Sequence, residues 1–341
     1  MNPVFMIGTQ RSGSNLLRLM LNQLKDISSP HPPHILERMM PLIESYGDLR
    51  SDDNFSILVD DVCRLVELNP VEWSGVIFDR DIVTAKAKAK AKERSLLSVY
   101  AVIYDLYAQS QGAKTWCCKS MANINYIDDI EDYFSRPRYV YLYRDGRDVA
   151  VSFQNAVVGE KHIYNIAKEW ADTQAQALNL SRLIDQERFH SISYEQLTQQ
   201  PEKTARSLCD FLSTDYIPAM LDFHKTNEAR NAAESSKLWG NVTSPIMQNN
   251  SNKYLKELSY DEISIFESVA GNMLDELAYD RAIVASGEEQ DFSDREIENF
   301  HKLNISRKNV SFKKVDKKDK ERRRRQKDLL NEIKNRSVEL A

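Results

Sequence analysis

Two short stretches of this 341-residue chain put cations, hydroxyls and glycine where an oxyanion can be gripped. The first is Gly8-Thr9-Gln10-Arg11-Ser12-Gly13-Ser14-Asn15, directly after the apolar run Val4–Ile7. Leu16, Leu17, Met20, Leu21 and Leu24 follow at helical spacing. A loop between a strand and a helix start suits phosphate binding. Backbone N–H groups of the first turn have no intrahelical partner, and the helix dipole adds partial positive charge. Gly13 lets the backbone approach an anion closely. Ser12, Ser14 and Asn15 offer side-chain donors, and Arg11 a forked positive charge. The spacing of Gly8 and Gly13 matches the start of a Walker A loop. The Lys and Ser/Thr that must follow the second glycine are replaced by Ser14 and Asn15, which argues against an ATP or GTP hydrolase. An ordinary strand–turn–helix corner would carry the same small residues.

The second stretch is Tyr139–Phe153, which repeats the strand–turn–helix pattern. Arg144 stands at the C-terminal end of its strand, where open parallel sheets bind ligands. Ser152 lies eight residues further on, about two helical turns away. An Arg and a Ser converging on one anion would hold a second phosphate. Taken alone, Arg144-Asp145 and Arg147-Asp148 also fit a surface ion-pair cluster.

The elements that must carry these residues alternate. Strands are expected at 4–7, 115–118, 138–143 and 189–193. Helices are expected at 14–24, 126–134, 147–156, 162–184 and 201–212. That alternation implies an α/β fold with a central parallel sheet and helices on both faces. A Pro/His-rich loop spans Ser28–His34, and 41–83 reads as mostly helical. The Ala/Lys stretch from Ala85 opens a helix expected to run on to Gln111, with its lysines on a solvated face. No internal repeat is visible.

Composition sets the frame. About 42% of residues are apolar, enough for one large core, and no apolar run approaches the roughly 20 residues of a bilayer span. Met1, Asn2 and Pro3 lead straight into strand pattern, so neither signal peptide nor membrane span is expected, and a cytoplasmic location is. Cys63, Cys117, Cys118 and Cys209 have no zinc-ligand spacing and read as reduced, buried thiols, with Cys117 and Cys118 on opposite strand faces. Trp73, Trp116, Trp170 and Trp239 read mainly as core, although aromatics of this kind can line a pocket. The net charge is −5, but from His301 onward 15 Lys/Arg stand against 6 Asp/Glu. The chain is therefore expected to divide into a domain at 1–285 and a charged, basic C-terminal tail or helix at 286–341, exposed and outside the core.

Together the two anion stretches resemble the PAPS-dependent sulfotransferase family, on the side of its bacterial and Golgi tyrosylprotein-like branch. Arg11–Asn15 matches the family's 5′-phosphosulfate loop. Arg144 and Ser152 match its 3′-phosphate motif, Arg-Asp-x-Arg-Asp-x-x-x-Ser in general form. Cys118-Lys119-Ser120 resembles the family's lysine segment, and Ser193-Tyr194-Glu195-Gln196-Leu197 its Tyr-Glu-x-Leu segment, whose tyrosine lies near adenine. Gln10 and Met121 depart from prolines of the pattern. The late Arg-Lys-Gly segment is not recognisable, and Lys253 is the candidate in its place. The resemblance covers roughly residues 4–280.

It implies a P-loop-like sulfotransferase fold and transfer of a sulfuryl group from 3′-phosphoadenosine-5′-phosphosulfate (PAPS) to a hydroxyl or amine, with PAP as product. Arg11, Ser12, Gly13, Ser14, Asn15, Leu16, Arg144, Ser152, Tyr194 and Lys253 are the implied nucleotide contacts. Arg11 and Lys119 are the implied cations at the leaving oxygen. The base is expected in the loop after the first helix, with His31 first, then His34, then Glu37. No metal is demanded, since the leaving group is already a phosphate. The acceptor would be a small molecule, a carbohydrate or a peptide, and no nucleic-acid partner is expected. The basic tail is a candidate contact for a membrane surface or for self-association. Two alternatives stand beside this reading: a nucleotide or small-molecule kinase with an atypical phosphate loop, and a noncatalytic interaction protein anchored by its tail.

Overall fold

A computed structural model describes residues 1–90, 93–235, 237–315 and 317–339. Five parallel strands form one sheet in the order β2-β3-β1-β4-β5. They are β1 (Val4–Ile7), β2 (Ile27–Ser28), β3 (Thr115–Cys118), β4 (Arg138–Tyr143) and β5 (Phe189–Ser193). The strands are short and apolar because both faces are covered. Phe5, Ile7, Cys118, Tyr139 and Tyr141 enter one core, and Val4, Met6, Cys117, Val140 and Leu142 the other. The period of two along each strand therefore separates the two adjacent cysteines, and all four cysteines are buried and free.

The helices are α1 (Ser14–Leu21), α2 (Ile35–Met39), α3 (Asp52–Glu67), α4 (Arg80–Lys90), α5 (Leu96–Ser110), α6 (Ile127–Tyr133), α7 (Gly146–Asn155) and α8 (Ile163–Leu183). They continue as α9 (Tyr194–Gln199), α10 (Pro201–Leu212), α11 (Asn227–Ser235), α12 (Tyr254–Glu257), α13 (Tyr260–Glu276), α14 (Asp294–Lys313) and α15 (Lys317–Glu339). The chain adds β3 on one side of β1 and β4 on the other. That reversal opens a crevice outside the C-terminal ends of the strands, the usual ligand position in such sheets. Gly8, Lys119 and Arg144 each follow the end of one of these three adjacent strands.

Three expectations need correction. The pairing of Ile27 with Thr115 adds a fifth strand that two residues alone could not signal. The Ala/Lys helix does not run on to Gln111. Ser95 starts a new helix, its hydroxyl accepting from Ser98 N in a reciprocal capping box. Residues 91–92 between the two helices lie outside the described residues, as does the side chain of Trp239. Finally, the basic C-terminal region does not stay clear of the core. Leu329 and Ile333, four residues apart on α15, bury beside Phe55 and Val62 in the main core. Arg336 pairs with Asp61 at 2.9 Å and Arg64 with Glu332 at 2.8 Å. Dense charge on the other faces of α15 hides this apolar pair from a composition-based reading.

Trp73, Trp116 and Trp170 are buried. Among the described residues no helix is long and apolar enough to cross a membrane.

Candidate active site

The Gly8–Asn15 loop is held in a shape that few residue types accept. Gly8 has φ 125°, and a Cβ there would meet the carbonyl oxygen of Leu142 at 2.3 Å. Gly13 has φ 92°, and a Cβ there would strike the Tyr194 ring at 2.6 Å. Arg11 adopts φ 72° without being glycine, a strain of order 1 kcal/mol of the kind found at ligand-gripping loops. Gly13 O accepts the first bond of α1, from Leu17 N at 3.1 Å. The amides ahead of Leu17 lie before that first intrahelical bond, and Ser14, Asn15 and Leu16 line the cleft. Ser12 is fully buried, and its hydroxyl finds no hydrogen-bond partner among the described residues.

The second anion stretch closes on the first. Arg11 Nε donates to Ser152 Oγ at 3.0 Å. Arg144 donates to Arg11 O at 3.2 Å and to Asn250 O at 2.6 Å, and it lies 4.3 Å over the Tyr194 ring. Its Nε has no partner among the described residues. Burial and the neighbouring Arg144 hold the Arg11 guanidinium below its ordinary pKa. Two cations brought this close call for negative charge between them.

Trp170 fixes the Arg144 backbone, donating from Nε1 to Arg144 O at 3.1 Å. Arg144, Asp145, Arg147 and Asp148, which taken alone also fit a surface ion-pair cluster, are all buried. Arg147 is gripped by Asp145 at 2.8 Å and Glu267 at 2.6 Å. Asp148 accepts from the backbone N–H groups of Asn252 (2.8 Å) and Tyr254 (3.0 Å). Arg147 and Asp148 thus hold the frame around Arg144.

A cleft of about 430 Å³ joins these groups. Arg11, Gly13, Ser14, Asn15, Leu16, Arg144, Ser152, Tyr194 and Lys253 all line it; Ser12 lies buried behind it. Sequence reasoning did not find the far wall, which is formed by Asn241, Val242, Ser244 to Met247 and Asn250. Asn250 donates from Nδ2 to Tyr194 OH at 2.6 Å. No local pattern marks that wall; beside it Asn252 and Tyr254 dock on Asp148, about a hundred residues away in sequence.

Lys119 sits beside the loop rather than on the cleft wall. Its Nζ donates to Asn15 Oδ1 at 3.1 Å. Burial, then Arg18 and Arg11, push its pKa down to about 7. Arg18 was also missed. It is fully buried, donates to Ser29 O at 3.0 Å and pairs with Glu228, while Nε and NH2 have no partner among the described residues. The available signal was an arginine on the leucine-rich face of a short helix, one turn after Ser14.

The Pro/His loop brings its three candidates to the Lys119 side. His31 is 6% exposed, with its carbonyl held by Asn69 Nδ2 (3.0 Å) and Trp73 Nε1 (2.7 Å). Burial, then Lys119 and Arg18, keep its ring pKa well below the ordinary value. His34 is half-buried and begins α2 with φ 59°. Its Nδ1 lies 2.9 Å from Ser120 Oγ and 3.1 Å from Glu37 Oε2. Glu37 is held below its usual pKa, chiefly by that contact with His34.

The chain has counterparts. A family model described as the sulfotransferase family matches residues 3–218, well over half of the chain. The sulfotransferase domain from the curacin biosynthetic pathway superposes with a TM-score of 0.57 at 20% identity, covering 82% of this chain and 98% of that one. The sulfotransferase domain of the Synechococcus PCC 7002 olefin synthase gives 0.53 at 21%, covering 82% and 95%. These two likenesses speak to the fold. An uncharacterized protein of Aquifex aeolicus (strain VF5) is 22% identical over 235 residues, or 66% of this chain, and the match spans only 27% of that relative's length. With the matched segment running from β1 through the far end of α10 and carrying both anion loops, the chain belongs to the sulfotransferase family.

Proposed function

We propose that the protein transfers the sulfuryl group of PAPS to a hydroxyl or amine acceptor and releases PAP. The observation that carries this reading is the 3.0 Å bond from Arg11 to Ser152, which joins two separate anion cradles in one cleft. A nucleotide with phosphate at both its 3′ and 5′ positions matches two cradles; ATP, with a single phosphate chain, does not. The residues fit such a ligand. The Ser12 hydroxyl and Arg144 Nε are buried donors without partners among the described residues, in a loop whose turn at Gly13 (φ 92°) packs directly on the Tyr194 ring.

The donor supplies a sulfuryl group already bonded to a phosphate leaving group. The amides of Ser14, Asn15 and Leu16 face the 5′-phosphate, and Arg144 and Ser152 the 3′-phosphate. Arg11 and Lys119 hold positive charge where the leaving oxygen gains negative charge, which is where preorganised cations lower a barrier most. His34 takes the acceptor's proton as the new S–O bond forms and the old one breaks. Its geometry favours it over His31, because a carboxylate orients one ring nitrogen and the other is left for substrate. Glu37 is then the orienting group.

PAP is expected to raise the melting temperature without added metal. At a hundredfold excess over Kd the stabilisation is about 2.7 kcal/mol. A saturating metal-free titration with neither heat nor melting shift sinks the donor assignment. A shift with ATP and Mg²⁺ alone would favour the kinase alternative.

Binding should also take up a proton. With a pKa near 7, Lys119 is mostly neutral at pH 8 in the free protein. A neighbouring anion favours its charged form and raises that pKa. Affinity for PAP should therefore weaken as pH rises above about 7 and level off well below it. Calorimetry at pH 8 in two buffers of different ionisation enthalpy measures the uptake. Identical heats in both would remove Lys119 from the anion site.

A further inference from the structure

His34 stands at the start of α2, and α2 meets α15 through Arg38, so both helices bring arginine near it. Arg38 lies one turn after His34, its N–H bonded to His34 O at 3.1 Å, so the two side chains share a face of α2. Arg38 NH1 donates to Gln326 Oε1 of α15 at 2.5 Å, and among the described residues Arg38 forms no ion pair. Gln326 is buried and donates in turn to Leu65 O at 2.8 Å, which fixes α15 at this point. Arg323 stands three residues before Gln326, on the same helix face. Asp319 accepts from its Nε at 2.8 Å.

The wider field has one sign. Residues 317–327 carry eight Lys/Arg against two Asp/Glu. This basic half of α15 reaches across to α11, where Arg322 donates to Glu234 O at 2.8 Å. Nearer the site, Glu37 is turned toward His34 and so is partly occupied. Burial holds Arg38 below its ordinary pKa; Glu37 opposes that shift and Arg323 adds to it, and Arg323 acts on His31 as well. Gln326 brings Arg38 to the face of α15 that carries Arg323, where Asp319 is paired with Arg323 and Arg38 has no ion-pair partner among the described residues. An oxyanion between them would pair with both, and the planar fork of arginine matches a carboxylate or phosphate in particular.

We propose that the acceptor carries an oxyanion, a carboxylate or phosphate, beyond its reacting hydroxyl, and that Arg38 and Arg323 grip it. This rests on the sulfotransferase reading above. It makes α15, which lies outside the family-matched segment, a specificity element of the site. The reaction is unchanged: the S–O bond to PAP breaks, the S–O bond to the hydroxyl forms, and the proton goes to His34.

The test uses the full chain, labelled PAPS and acceptors matched in pairs. One pair is 4-hydroxyphenylacetate and its methyl ester; the other is 4-hydroxybenzylphosphonate and its diethyl ester. The acid of a pair should exceed its ester in kcat/KM by roughly tenfold to a hundredfold, the worth of a charge-assisted contact. Whichever acid wins tells carboxylate from phosphate. Arg323→Gln and Arg38→Gln should each bring the ratio toward one, while PAP affinity stays within about twofold. Melting temperatures verify that both variants fold. Equal rates for acid and ester, or a preference that survives both substitutions, overturns the proposal. Should no probe turn over, the PAP-saturated protein is melted with each. A shift with an acid but not its ester supports the proposal, and no shift with either acid overturns it. Failure of PAP itself to bind would instead strike the sulfotransferase reading.

Discussion

His34→Ala is expected to cut turnover by about a hundredfold to ten-thousandfold, the usual worth of a general base, with PAP affinity nearly unchanged. A base touches the acceptor's hydroxyl and not the nucleotide, so its loss shows in rate rather than in donor binding. The orienting pair sharpens the test. Glu37→Gln keeps the shape of the 3.1 Å contact and removes its charge, so turnover should fall less than for His34→Ala. His31→Ala is the essential companion. Its ring is buried, so the substitution leaves a void and should lower the melting temperature while turnover is largely kept; the bonds from Asn69 and Trp73 go to the His31 carbonyl and survive it. If His31→Ala is the variant that loses turnover while His34→Ala keeps it, the roles are exchanged and the loop assignment survives. If all three keep nearly full turnover, the base lies elsewhere.

What could be seen in the sequence depended on how local each feature is. β4, β5 and α10 match the expected spans end for end, since each is a self-contained apolar pattern bounded by turn residues. The turn from β1 into α1 was legible for the same reason: its glycines, hydroxyls and arginine stand in eight consecutive residues. Arg144 and Ser152 were legible as a spaced pair on one strand–helix unit. The meaning of Arg147 and Asp148 was not. A doubled Arg-Asp reads as a surface cluster, yet Arg147 reaches Glu267 and Asp148 reaches Asn252 and Tyr254, more than a hundred residues away. Such pairings exist only after the chain has folded back. The same holds for α15. Its basic run dominates composition, whereas Leu329 and Ile333, which decide where it packs, are two residues among many charges.

Arg144→Ala should weaken PAP by roughly thirtyfold to a thousandfold, the range for removing one partner of a buried charged contact. The substitution does more than delete a charge, so the ligand must be varied along with the protein. Arg144 also carries hydrogen bonds to Arg11 O and Asn250 O and covers the Tyr194 ring. Losing these loosens the far wall of the cleft for any nucleotide. Adenosine 5′-phosphosulfate lacks the 3′-phosphate and reports that general loss. PAP reports the general loss plus the specific contact. The ratio of the two losses isolates the 3′-phosphate, as a double-mutant cycle isolates a pair. A conservative Arg144→Lys keeps the charge but not the fork, so it should fall between wild type and alanine for PAP. Ser152→Ala, at the other edge of the same cradle, should move in the same direction by a smaller amount, because it removes one neutral hydrogen-bond group. Titrations of both ligands against the three variants, with melting curves to confirm folding, complete the measurement. Equal losses of PAP and adenosine 5′-phosphosulfate on Arg144→Ala would leave Arg144 as a strut of the cleft wall and would move the 3′-phosphate site away from it.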